Sequence, residues 1–189
     1  MSGPGTLQWR SDYRDLVAVP VAAALDALEL AVLAAPIDAE LSDTAAFCEH
    51  YGVLMEDSAN CVIIAGRRGE VVSFAACMVL ATTRADVNGV VRKRLDARKA
   101  SFAPMDDAVA LSGMEYGGIT PIGLPSSWLV LIDAAVLERE VVVIGSGLRR
   151  SKLALPSKLL ADLPGAEVIE GLARGPLDCW PVPAVEEPI

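Results

Sequence analysis

The chain has 189 residues, 53% of them hydrophobic and 22% charged, and its 25 acidic side chains against 16 basic ones give a formal net charge of −9. That length suits one domain with a full core, burying roughly 70% of the surface its unfolded form exposes, and the acidic balance excludes a general polyanion binder and argues against DNA as a partner. The apolar runs Val17 to Leu25, Leu28 to Pro36 and Trp128 to Ile132 break well short of the ~18 residues of a membrane span, and Met1 to Gly5 carry no basic-then-apolar leader, so a soluble protein in the cytoplasm is expected.

In chain order, residues 1–15 read as a terminal arm, loose or docked. Pro20 to Ala35 reads as a helix with Leu25, Leu28, Leu30 and Leu33 spread over a wide apolar face, ended by Pro36. Ser42-Asp43-Thr44 offers N-cap oxygens for a short helix through His50, with Gly52 as its stop. Cys61 to Ala65 and Val71 to Leu80 are β-branched, apolar runs joined at Gly66-Arg67-Arg68-Gly69, a pattern that predicts a hairpin with a four-residue turn. Asp86 caps a helix over Val87 to Leu95. Ala100 to Phe102 reads as a short strand and Met105 to Leu111 as another helix. Strands follow at Trp128 to Ile132, Val141 to Ile144 and Leu153 to Leu155, then a helix at Ser157 to Leu163 and a closing strand at Ala166 to Ile169.

No repeat or linker divides the chain, so residues 16–174 are expected to form one domain and 175–189 an irregular, Pro-rich tail. Hairpins and short helices interleave without strict βαβ alternation, which predicts an α+β fold on a mixed, curved sheet. Neither glycine loop has the spacing of a dinucleotide-binding fingerprint.

The charge is unevenly spread. Nine acidic residues and no Lys or Arg lie between Asp15 and Gly66, whereas residues 67 to 100 hold eight cations, Arg67, Arg68, Arg84, Arg92, Lys93, Arg94, Arg98 and Lys99, against Glu70, Asp86 and Asp96. That stretch is either a face for RNA phosphates or an ordinary solvated surface. Cys48, Cys61, Cys77 and Cys179 show no paired spacing, and three of them sit in apolar patterns typical of buried thiols, so neither a disulfide framework nor a metal knuckle is implied. His50 is the only histidine and reads as solvated or capping. No metal and no cofactor is expected.

The densest signal is Ser112-Gly113-Met114-Glu115-Tyr116-Gly117-Gly118-Ile119-Thr120-Pro121-Ile122-Gly123-Leu124-Pro125. Its four glycines and two prolines give either a rigid loop presenting backbone amides to a ligand or a wide turn between helix and strand. Asp133, closing the apolar run Trp128 to Ile132, reads as a structural anchor or as a residue that orders a pocket loop or water. Cys61, inside a strand with no histidine near in sequence, reads as a buried thiol rather than a nucleophile.

Three blocks in fixed order, Ser58-Ala59-Asn60-Cys61-Val62-Ile63-Ile64, Gly117-Gly118-Ile119-Thr120-Pro121, and Ile132-Asp133 with Gly145-Ser146-Gly147-Leu148-Arg149, resemble the YbaK and prolyl-tRNA synthetase insertion-domain family, which hydrolyses mischarged aminoacyl-tRNA. The resemblance spans roughly residues 40 to 170 and implies a YbaK-like fold. It implies a free-standing, trans-acting deacylase for tRNA carrying a small amino acid, with the acceptor end of tRNA as partner; oligomeric state stays open. On this resemblance Asn60, Gly117 and Asp133 are the candidate catalytic residues, and Gly118, Ile119, Thr120, Pro121, Gly145, Ser146, Gly147 and Arg149 the candidate substrate-binding residues. Gly117 and Gly118 amides would face the developing oxyanion, and the substrate's own 2′-hydroxyl would spare the protein a strong general base. Asn60 departs from the lysine that many relatives carry there, since it has no charge and a shorter reach. A catalytically reduced module that binds an aminoacyl or nucleotide end, or a protein partner, is the alternative.

Overall fold

The computed structural model describes residues 3–175. Most of the expected tail, with Cys179 and Trp180, lies outside the described residues. The arm is docked: Arg10 exchanges backbone hydrogen bonds with Ala34, and the Thr6 amide donates to the Tyr51 carbonyl at 2.8 Å.

Helix α1 spans Val19–Leu28 with Pro20 in its first turn, where a missing N–H is tolerated. It stops at Glu29, which is left-handed at φ 50°, and so does not run to Ala35 as expected. Leu33–Pro36 is instead strand β1, paired antiparallel with β8, Ser151–Pro156. Ala34 and Ala35 are fully buried there. The ladder to β8 satisfies their backbone while small side chains fit beneath it, and that pairing overrides the high intrinsic helix propensity of Ala and Leu.

Helix α2, Thr44–Tyr51, forms where the capping chemistry predicts. The Asp43 carboxylate accepts from the Ala45 and Ala46 amides, and Gly52 ends the helix at φ 66°. Strands β2, Ala59–Arg68, and β3, Val71–Leu80, make the expected hairpin, but Arg68 pairs with Val71 across a two-residue Gly69-Glu70 loop. The ladder thus runs through the residues assigned from sequence to a four-residue turn.

Strand β4 is Arg84–Ala85. A π-helical turn, Val87–Val91, capped by Asp86, leads into the short α3, Arg92–Arg94. Strand β5 is Lys99–Phe102, α4 Met105–Ser112, β6 Leu129–Asp133, α5 Ala134–Leu137, β7 Val141–Gly145, β9 Ala166–Ile169 and β10 Ala173–Arg174. Ser157–Asp162, expected as a helix, is 3-10.

Five strands pair in the order β5-β2-β3-β6-β9, antiparallel around β2 and parallel on both sides of β6. A three-stranded sheet, β1-β8-β7, lies beside it, and β4 pairs with β10. The fold is therefore α+β on a mixed sheet. Leu25 of α1 packs with Met78, Ile132, Ile144, Leu153 and Leu155 between the two larger sheets. Ile64, Cys77, Leu131 and Leu172 pack with Val91 and Leu95 on the opposite face. Among the described residues no helix is long and apolar enough to cross a membrane.

Candidate functional site

The seam between the two larger sheets carries the site. Ser58 at the entry to β2 forms a parallel bridge with Val143 of β7. Asn60 lies two residues beyond Ser58 on β2, and Gly145 two residues beyond Val143 on β7. Gly145 in turn pairs with Lys152 of β8. Residues level with one another on adjacent strands face the same side of a sheet, so Gly145 and Lys152 share a face, and Asn60 lines the same cleft as both.

Helix α2 covers this face through Phe47 and Cys48, which pack on Val143 and Ala154. Its entry turn, Ser42-Asp43-Thr44, borders the cleft. The Thr44 hydroxyl donates to Asn60 Oδ1 at 2.7 Å. The amide nitrogen of Asn60 is thereby left as its donor toward the open side, with no protein acceptor among the described residues.

The glycine-rich loop descends onto Gly145. A Cβ on Gly145 would stand 2.3 Å from the Gly118 carbonyl oxygen and 2.6 Å from that of Ile119, so only glycine lets the loop backbone come this close. The loop is locked from its far side: the Gly147 amide donates to Gly118 O at 2.7 Å, and the Glu115 amide donates to Gly147 O at 2.9 Å. Arg149 bridges the same elements. Its backbone amide donates to Glu115 Oε2 and its Nε to the Ala39 carbonyl, at 2.6 and 3.1 Å.

A cleft of about 610 Å³ opens between these parts. Its lining includes Asn60, Gly117, Ile119, Gly145 and Arg149, together with Lys152 and the rim residues Phe102, Met105 and Tyr116. The sequence thus named five residues, from three separate blocks, that the fold brings together. The Gly117 amide donates to no protein acceptor among the described residues, which leaves it available to a ligand.

The other candidates take different places. Asp133 is buried outside the cleft and caps α5; one carboxylate oxygen accepts from the Ala135 amide at 3.0 Å and the other from the Ala173 amide at 2.6 Å. Both oxygens are spent on backbone, so it is an anchor. The Gly118 amide is already bonded to Glu115 O, and a Cβ on Gly118 would strike the Leu148 backbone; its role is close packing of two loops. Thr120 and Pro121 are buried away from the lining, and Thr120 Oγ1 has no hydrogen-bond partner among the described residues. Ser146 and Gly147 also sit behind the cleft. Ser146 Oγ lies 2.8 Å from Ser151 Oγ in a buried knot that fixes the turn between β7 and β8.

Cys61 borders the cleft, but burial pushes its thiol well above the usual range, as it pushes Cys77 up to about 12, so neither supplies a thiolate near neutral pH. Lys152 is only 8% exposed. Burial lowers its ammonium below the ordinary 10.5, opposed by nearby Cys48 and Asp43 and reinforced by Arg149. Its Nζ donates to the Ser42 carbonyl at 3.3 Å and lies 5.1 Å from the centroid of the Phe47 ring. Sequence reasoning missed Lys152. The available signal was a lone lysine in Ser-Lys-Leu-Ala-Leu, on the same strand face as Ala154 rather than on a solvated edge.

Of the eight cations between residues 67 and 100, two are in ion pairs, Arg68 with Asp96 and Arg94 with Glu167, while Asp86 of the same stretch pairs with Arg174. Lys99 and Arg67 remain opposite each other on β5 and β2, three residues along β5 from the rim residue Phe102.

The family model described as the aminoacyl-tRNA editing domain matches residues 38–163, which contain every residue of the cleft. Among solved structures, the chain is similar to hypothetical protein APE2540, with a TM-score of 0.72 and 20% identity over 82% of this chain and 99% of that one. It is also similar to a chain described as a candidate trans-editing enzyme for prolyl-tRNA synthetase, with a TM-score of 0.68 and 21% identity over 82% and 96%. A third match, described as a candidate signal-transduction protein from Marinobacter aquaeolei VT8, has a TM-score of 0.54 and 19% identity over 82% of this chain but only 30% of that one. At these identities the structural matches establish a shared fold.

Proposed function

The chain belongs to the aminoacyl-tRNA editing domain family, and from that premise we propose that it is a trans-acting deacylase that hydrolyses the ester of mischarged tRNA carrying a small amino acid. The observation that carries this reading is the convergence of Asn60, Gly117, Gly145 and Arg149 on one cleft from three distant parts of the chain. The similar chain described as a candidate trans-editing enzyme for prolyl-tRNA synthetase points the same way.

In this reading the terminal adenosine and the amino acid share the cleft. A volume of about 610 Å³ falls within the range of roughly 300–1,000 Å³ for ligand pockets, and the nucleoside takes a large part of it, which favours a small side chain. Water adds to the ester carbonyl carbon, the carbon–oxygen bond to the ribose breaks, and the departing ribose oxygen takes a proton, giving free amino acid and a free tRNA hydroxyl. The Gly117 amide is the backbone donor for the carbonyl oxygen, and the Asn60 amide nitrogen orients the ester or the attacking water. Arg149, on the cleft wall, is the cation offered to a phosphate of the acceptor end. Positioning and fixed dipoles supply the rate enhancement, so no thiolate or imidazole is required.

A second reading is favoured by Asn60 alone: with no charge at that position, the cleft binds an aminoacyl or nucleotide end, or a protein partner, without hydrolysing an ester. A panel of mischarged tRNAs, assayed for loss of the aminoacyl bond at substoichiometric protein, separates the two. Multiple turnovers on any member support the deacylase; binding of the acceptor end without turnover supports the module.

A further inference from the structure

Lysine at position 60 would place one ammonium in the cleft, and Asn60 removes it, yet the cleft still contains a lysine. Lys152 reaches it from β8, where it pairs with Gly145. Three features set this side chain apart from a surface lysine. It is 8% exposed; among the described residues no carboxylate lies within ion-pair distance of it; and of its three N–H donors one is spent, on the Ser42 carbonyl. A buried ammonium with unspent donors is costly wherever it serves only packing, and a methionine would fill the same space against Phe47 and Cys48 without that cost.

Ser42 and Thr44 are two residues apart on the turn that enters α2; the first holds Lys152 and the second holds Asn60. The two side chains therefore flank one stretch of the cleft. Ser42 also lies near the loop, since a Cβ on Gly117 would be 3.5 Å from its hydroxyl. Ser42 therefore neighbours both Lys152 and Gly117, and all three line the cleft.

We propose that Lys152 is a catalytic residue of this cleft, its ammonium donating to the carbonyl oxygen of the bound aminoacyl ester and supplying, from β8, the positive charge that Asn60 does not supply from β2. As water adds and that oxygen gains charge, the ammonium and the Gly117 amide stabilise it together; when the carbon–oxygen bond to the ribose breaks, the charge returns to the carbonyl and Lys152 ends the cycle protonated as it began. The proposal rests on the deacylase reading and names the group that polarises the ester within it.

The test compares the wild-type chain with Lys152→Met and with the double variant Lys152→Met, Asn60→Lys, on the best substrate of the tRNA panel, after circular dichroism has confirmed folding. Binding of a non-hydrolysable amide analogue of aminoacyl-adenosine is measured in parallel. The expected result is a fall in kcat of about 100- to 1,000-fold for Lys152→Met, the usual effect of removing one oxyanion donor, with KM changed much less, and recovery of at least about tenfold when Asn60→Lys restores a charge from the other side. A folded Lys152→Met protein whose kcat stays within about twofold of wild type overturns the proposal and leaves the deacylase reading standing. If wild type hydrolyses no member of the panel, the deacylase reading falls, and the analogue decides for Lys152: a loss of affinity of about tenfold or more upholds its contact with the carbonyl, whereas unchanged or unmeasurable binding overturns it.

Discussion

The hydroxyl of Thr44 donates to Asn60 Oδ1 across 2.7 Å, tying the entry turn of α2 to the first turn of the β2 ladder. The bond fixes which end of the Asn60 amide meets a ligand. Thr44→Val keeps the shape and removes the donor. It is expected to lower stability by about 0.5–1.5 kcal/mol, the net value of one hydrogen bond, and to lower kcat/KM by up to about tenfold as the amide becomes free to turn. Chemical denaturation and deacylation kinetics on the same preparation check both; unchanged kcat/KM would show that the orientation of Asn60 is immaterial.

Gly145→Ala should be far more disruptive than its single methyl group suggests. The new Cβ would meet the Gly118 and Ile119 carbonyl oxygens at 2.3 and 2.6 Å, and the first of these backbone atoms is held in place by the hydrogen bond from the Gly147 amide. Overpacking of this kind costs typically about 1–3 kcal/mol, and the displaced loop carries Gly117 away from its position. The expected outcome is a lower Tm together with loss of most of the deacylase activity; a variant with wild-type Tm would contradict the close approach.

Lys152 gives a prediction about pH that is independent of catalysis. Its folded-state pKa lies below 10.5 because burial disfavours the charged form, so between the folded value and 10.5 the unfolded chain binds more protons and stability rises with pH. The penalty is fully present below the folded value and fades as pH climbs toward 10.5. Lys152→Met removes it, and is expected to be more stable than wild type near neutral pH by roughly 1–4 kcal/mol, as when apolar residues replace buried charge. That advantage shrinks in urea titrations carried to higher pH. An advantage constant across the range would mean that Lys152 is not desolvated.

Asp133→Asn separates anchoring from chemistry. One oxygen now accepting a backbone amide becomes an NH₂ group facing another donor, at Ala135 or at Ala173. Leaving a buried donor unsatisfied costs about 1–3 kcal/mol. Tm is expected to fall while kcat per folded molecule stays within a few-fold of wild type; a loss of kcat by orders of magnitude in folded protein would return Asp133 to the catalytic set.

Local chemistry made much of the fold readable in the sequence. Asp43 and Gly52 bound α2 as their capping roles require, and the apolar runs around Cys61 and Val71 pair as a hairpin. The candidate cleft was legible where a fixed order of motifs coincides with unusual backbone demands, as at Gly117 and Gly145, both of which line it with Asn60. It was illegible where the decisive fact is a partner distant in sequence. Leu33 to Pro36 becomes a strand because β8 lies beside it, and nothing in an Ala-rich run announces that. Ser146 and Gly147 belong to motif blocks, yet they face inward to knot two loops. Lys152 reads as one lysine in a short strand until the ladder sets it opposite Gly145.

The decisive measurement is the initial rate at which the purified chain releases amino acid from one tRNA charged in turn with a small residue, such as alanine, and with a bulky one, such as phenylalanine. A trans-acting deacylase releases the small amino acid at least about tenfold above the uncatalysed rate, with multiple turnovers and a clear preference over the bulky one. Release of neither above the rate in buffer alone, by protein shown to be folded, would contradict the deacylase reading.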